Sequence, residues 1–205
     1  MKKILNIVLF INFMALPIIA SGQGSNDDLS CRVWPISSSF SWITHGEIVL
    51  ADIRQNNRTI AQNYIYISED GEKIALTASA SAIVKAIRNE IKQNEAVSFV
   101  RNSIVDFLIK TYPAQNTYLL NAKYKEEYEE AIWFEDRKVH KIDLSKYCAD
   151  PVIKINGNQW SAEFVTINQR GIANKWLLTG MLNVFGIEKI NIMELASDIP
   201  MPLRF

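Results

Sequence analysis

The sequence predicts an α+β protein: an antiparallel sheet of N-terminal strands plus a C-terminal meander, with about three helices between, packed on one face. Three observations carry that expectation. Residues 48–53, 63–68 and 152–155 are short runs of β-branched and aromatic side chains, and 172–182 sets Ile172, Trp176, Leu178 and Leu182 on alternate positions with Lys175 and Thr179 between, the two-residue period of a strand with one buried face. Residues 78–132 switch to a period of three or four, as in Ile83, Ile87 and Ile91. The strand-like runs are punctuated by Glu69-Asp70-Gly71, Asn156-Gly157 and Asn168-Gln169-Arg170-Gly171, the residue types that tight hairpins use. Strands and helices therefore fall in separate blocks, the pattern of an α+β chain.

Residues 1–22 read as an export signal. Lys2 and Lys3 give a basic start, residues 4–20 are apolar apart from Asn6 and Asn12, and Ala20-Ser21-Gly22 supplies small residues for a peptidase. The alternative is an uncleaved membrane anchor, because this run sits at the short end of what spans a bilayer. Cleavage after Gly22 leaves residues 23–205 as one α+β domain with a flexible arm at 23–30, and no later run is apolar for long enough to give stable membrane insertion. The 22 basic and 22 acidic residues balance, and losing Lys2 and Lys3 makes the remainder slightly acidic. That balance argues against nucleic acid and against a polybasic membrane binder. The expected location is periplasmic or secreted, in a bacterial envelope.

Two cysteines, Cys31 and Cys148, are expected to pair in that oxidising setting. A bond closing so long a loop is worth about 4–5 kcal/mol in the chain-entropy model.

After the arm, Pro35 and the serines at 37–39 suggest a loop, and residues 40–43 a short strand. Strands are expected at 48–53, 63–68 and 73–77. The first helix covers Ile83, Ile87 and Ile91, with Ser79 or Ser81 as its cap. A second carries Val97, Val100, Ile104, Val105 and Leu108 and stops before Pro113. A third starts near Asn116 and carries Leu120, Tyr124, Tyr128 and Ile132, with a run of lysines and glutamates on its other faces that reads as solvated. Residues 138–144 alternate as a strand. The meander then runs 152–155, 160–167, 172–182 and 187–195, with Trp160 and Trp176 as expected cross-strand neighbours.

Few chemistries survive the composition. The histidines are His45 and His140, far apart in sequence, so no metal site is expected. No glycine-rich phosphate loop is present, and no cofactor is expected. His45, with Ser41, Thr44 and Glu47 nearby, is the weak catalytic candidate; His140 reads as a partly buried strand residue. Trp34, Phe40 and Trp42 are dense in one short segment and are the candidate binding residues. The expectation is an exported protein that binds another envelope or secreted protein, as an inhibitor, an immunity-type partner or an accessory subunit. A hydrolase built on His45 and a carrier of small apolar ligands are the alternatives.

Overall fold

The computed structural model describes residues 29–111, 117–134 and 143–201. The chain is α+β, and its strands divide between two antiparallel sheets. The first has the order β1-β2-β3-β4, from Leu29–Pro35, Glu47–Gln55, Arg58–Ile67 and Lys73–Ala75. The second has the path β5-β7-β8-β9, with β6 paired to β7, from Thr117–Leu119, Val152–Asn156, Gln159–Asn168, Ala173–Met181 and Gly186–Ala196. Four helices lie between in the chain: α1 (Ala80–Glu90), α2 (Ala96–Asn102), α3 (Ile104–Thr111) and α4 (Ala122–Phe134).

One core joins both sheets to the first three helices. Ile48, Tyr66 and Ile74 of the first sheet, Ile83, Ile87, Phe99, Val100, Phe107 and Leu108 of the helices, and Trp160, Phe164, Trp176 and Leu178 of the second sheet form one buried cluster. The period of α1 makes this possible, because Ile83, Ala86, Ile87 and Glu90 share a face and all four are buried. Ser79 caps α1 by accepting from the Ala82 amide at 3.2 Å. Ser79→Ala should therefore cost about 1 kcal/mol, read as a lower urea midpoint with an unchanged slope. An unchanged midpoint would mean that the hydroxyl does not hold the helix start.

The second expected helix is broken at Ser103 into α2 and α3. Asparagine and serine are poor helix-interior residues, because their side chains can offer backbone groups an alternative partner, and Asn102 and Ser103 stand together at the break. The third expected helix starts later than Asn116. Asn121 is the cap, accepting from the Tyr124 amide at 3.0 Å, and residues 117–119 instead pair with Thr166–Asn168 of β7. Leu120, Tyr124 and Tyr128 then bury against Val165 and Ile167 on the other face of the second sheet. Residues 40–43 are not a strand; a short 3-10 turn at Ser37–Ser39 leads into a loop. Of the expected strand at 138–144, Leu144 lies in a 3-10 turn, and residues 138–142, His140 among them, lie outside the described residues. So do the expected signal at 1–22 and most of the arm, whereas Leu29 and Ser30 belong to β1.

The meander forms with the expected hairpins. Gly157 and Gly171 take positive φ at the two turns. Trp176 stands opposite Phe164, with rings stacked at 5.4 Å, and Trp160 stands opposite Gly180, so the two tryptophans are not opposed across the hairpin. Gly180 is required there, because a Cβ would fall 2.6 Å from the Trp160 ring.

The expected disulfide is not formed. Cys31 packs beside Val49, Ala51 and Ile53 on the first sheet, whereas Cys148 packs with Leu120, Tyr124 and Leu144 beside the second. The two cysteines thus sit in separate apolar clusters, not at bonding distance. Burial, with Asp52 nearby, pushes the Cys31 thiol up, which disfavours the nucleophilic thiolate.

Candidate functional site

The N-terminal aromatic residues separate by depth. Phe40 is 2% exposed, and it meets Phe107 edge-on at 5.8 Å. Trp42 is half-buried, with ring centroids 4.8 Å from both Phe99 and Phe107. Both fill the common core, at the edge-to-face angles aromatic rings prefer. Trp34 is the most exposed of the three, at 39%, on β1 opposite Leu50. Leu50 and Tyr64 next to it line an open cleft of about 310 Å³ with Ile36, Phe40, Ile109 and Tyr118. Lys110 stands at the cleft's edge, paired with Asp106 at 2.7 Å and lying 5.5 Å over the Phe40 ring.

His45 is held by its backbone. The loop Thr44-His45-Gly46 turns three successive amides onto the Glu90 carboxylate. Oε2 accepts from Thr44 at 2.7 Å and from His45 at 2.9 Å, and Oε1 accepts from Gly46 at 2.5 Å and from the Tyr66 hydroxyl at 2.6 Å. Glu90 is 4% exposed. Burial raises its pKa, but the bonds from His45, Tyr66, Thr44 and Gly46 together outweigh it, and the carboxyl is held below its ordinary value. Tyr66 is pushed up, first by burial and then by its bond to Glu90. Gly46 lies so close to the Tyr66 ring that a Cβ would sit 2.5 Å from it.

The arrangement explains an acid at the C-terminal end of α1, where the helix dipole disfavours negative charge. The converging amides form an anion nest that supplies the compensating positive potential. The His45 side chain is exposed and makes no hydrogen bond among the described residues. It borders a shallow acidic hollow with Ser68, Glu69, Asp70 and Glu72, in which the Ser68 hydroxyl already bonds to Asp70. No group of three or more metal-ligating side chains occurs among the described residues. Among the described residues, the geometry around Glu90 pins the 44–46 loop through its amides.

A carrier would place an enclosed cavity between the helices and the Trp176 strand. That space is filled by Phe99, Phe107, Trp160, Phe164, Trp176 and Phe185, with Trp160 stacked on Phe185 at 6.1 Å.

The most conspicuous surface feature is β9. It ends the order of the second sheet, so one side of its backbone is unpaired among the described residues. Contacts with α1 cover its first residues, and Arg88 Nε donates to the Phe185 carbonyl at 2.6 Å. Beyond them Ile192, Met193 and Leu195 are 41%, 39% and 40% exposed. Glu90 and this trio were both within reach of sequence reasoning. Glu90 is an acid seven positions after Ile83, on the apolar stripe of α1. β9 carries apolar residues on both faces, Ile190 and Ile192 on one and Met193 and Leu195 on the other, more than one buried face requires. Comparison with known proteins finds no matching family model, no similar curated protein and no similar solved structure.

Proposed function

We propose that this chain is an exported envelope protein that acts by binding another protein, and that β9 is the surface it uses. The open edge of β9 carries that reading. An edge strand offers a row of free amides and carbonyls to which an extended segment adds as one more strand, while alternate side chains fit pockets on either side. Ile192, Met193 and Leu195 supply the apolar contacts, and Glu188, Lys189 and Glu194 on the same strand limit indiscriminate pairing. Export rests on residues 1–22, with their basic start, apolar run and small residues at 20–22.

The test is capture from an envelope extract with the folded chain as bait, beside an Ile192→Lys, Leu195→Lys double variant. A stoichiometric partner is expected with the parent chain, at least about tenfold weaker with the variant, and its binding should slow amide exchange along Ile190–Ala196. A partner retained equally by the variant would move the surface elsewhere, and capture of nothing would sink the binding reading.

A further inference from the structure

β9 is open along one edge of its backbone among the described residues. Its pairing with β8 shifts register at Thr179/Gly180 and again at Ala173/Asn174, which leaves Lys189–Glu194 as one regular stretch between irregular ends. Such irregularities terminate pairing, so this stretch is the window that another strand can occupy. Ile190 and Ile192 stand opposite Leu178 and Trp176 and share the core face of the sheet, and Glu194, opposite Asn174, is in phase with them. That face is covered at the start of β9 and bare further on: Ile187 and Ile190 pack against the core, whereas Ile192 is 41% exposed. Beside the covered part, Ser81, Val84, Lys85 and Arg88, one stripe of α1, line a cleft of about 500 Å³ with Gly186 and Ile187. No β8 residue lines it among the described residues, so the cleft lies on the open side of β9.

We propose that this window pairs with the same window of a second copy of the chain, antiparallel and about a two-fold axis. The inference rests on the reading of β9 as the binding edge and names what occupies it when no other protein does. Charge and shape both point to a second copy. Lys85, Arg88 and Lys189 gather at the start of the window beside Glu188, and Glu194 stands at its end. Arg88 Nε donates to the Phe185 carbonyl and Lys85 pairs with Glu72, yet both residues stay exposed. Parallel pairing would set like ends together, Glu194 beside Glu194, which like charges disfavour. Antiparallel pairing sets the acidic end of each copy against the basic end of the other. It also brings the bare Ile192 of each copy to the α1 stripe of the other, where Val84 is the apolar member. Each contact occurs twice, the isologous arrangement of a closed dimer, and neither β9 edge is left to extend.

Self-association and partner capture then use one strand and exclude each other. A rising concentration of the chain hides the docking edge, and a partner must displace the second copy to reach it.

Sedimentation of the purified chain between about 1 and 100 μM should show a reversible monomer–dimer equilibrium, and amide exchange at Lys189–Glu194 should slow as the concentration rises. Glu194→Lys and Lys85→Glu, both at exposed positions, should each raise the dimer dissociation constant by about tenfold. An equimolar mixture of the two variants should recover the dimer, because the mixed pair sets Lys85 of one copy against Glu194 of the other and opposes the two exchanged charges at the second contact. A parent chain that stays monomeric over the whole range overturns the proposal, and leaves the edge reading to be decided by capture of a partner. Dimers indifferent to both substitutions, or a mixture no tighter than its components, place self-association elsewhere and overturn it too. If a variant melts early, the concentration dependence of exchange in the parent chain decides. Dimers that depend on β9, together with an extract that yields no partner, would keep this inference and sink the reading that the edge serves another protein.

Discussion

Glu90→Ala should destabilise the fold by about 3–5 kcal/mol, the range for removing one partner from a buried charged network. The substitution takes the acceptor from three consecutive amides and from the Tyr66 hydroxyl at once, and donors left buried without a partner bear their full desolvation penalty. Glu90→Gln keeps the shape but turns an amide group toward those donors, and about 2–4 kcal/mol should be lost. Tyr66→Phe removes a single bond and should cost about 1–2 kcal/mol.

The pH dependence has a definite sign. The folded-state pKa of Glu90 lies below its ordinary value of 4.5, so its contribution is fully present above that value and is lost as pH falls through the folded pKa. The stability gap between the parent chain and Glu90→Gln should therefore be constant near neutrality and shrink under acid. Urea melts of both proteins between neutral pH and about pH 3 would show it; a gap of under about 0.5 kcal/mol at neutral pH would mean that water, not Glu90, satisfies the loop.

The parts of this molecule that were legible in its sequence are those that local pattern dictates. The Ile83 and Ile87 spacing placed α1, although Ile91 lies just past its end and of the two serines expected as a cap only Ser79 serves, and Gly157 and Gly171 placed two hairpins, because positive φ at a turn selects glycine without help from distant residues. What failed depended on tertiary partners. Asn116 and Asn121 are equally good helix caps in sequence; pairing with β7 makes a strand of the residues between them. Cys31 and Cys148 are a plausible pair by composition, and only the assignment of each to a separate apolar cluster keeps them apart. The division into two sheets was hidden for the same reason, since hairpins fix neighbours and leave open which groups of strands join.

The candidate site divides along the same line. His45 and the aromatic residues at 34–42 stand out by residue type, yet Phe40 and Trp42 are core and His45 contributes its amide. Glu90 and β9 stand out only by position, an acid on an apolar stripe and a strand apolar on both faces.

Gly171→Ala should cost about 2–5 kcal/mol and should loosen the end of β9 more than the rest of the sheet. Two effects coincide at this position. Its φ of +74° is left-handed backbone, which costs an L residue about 1–2 kcal/mol, and an added Cβ would lie 2.0 Å from the Ile199 carbonyl oxygen, forcing backbone to move at the cost of an overpacked core, about 1–3 kcal/mol. That contact holds the chain as it leaves β9. The Ile199 amide donates to the Gly171 carbonyl at 3.0 Å, Ile199 is 3% exposed, and the Tyr128 hydroxyl of α4 donates to the Pro200 carbonyl at 2.6 Å. Pushing Ile199 away frees all three anchors together.

Gly157 isolates the conformational part, because it also has positive φ, +57°, but nothing within 4 Å of an added Cβ. Gly157→Ala should cost only about 1–2 kcal/mol. Amide exchange would separate the two variants: Gly171→Ala should speed exchange at Glu194–Ala196 relative to the Phe164–Trp176 pair, and Gly157→Ala should leave that ratio unchanged. Equal exchange in both would mean that the return of the chain to the 168–171 turn does not hold β9 in register. In that case the edge proposed for partner binding is fixed by β8 alone.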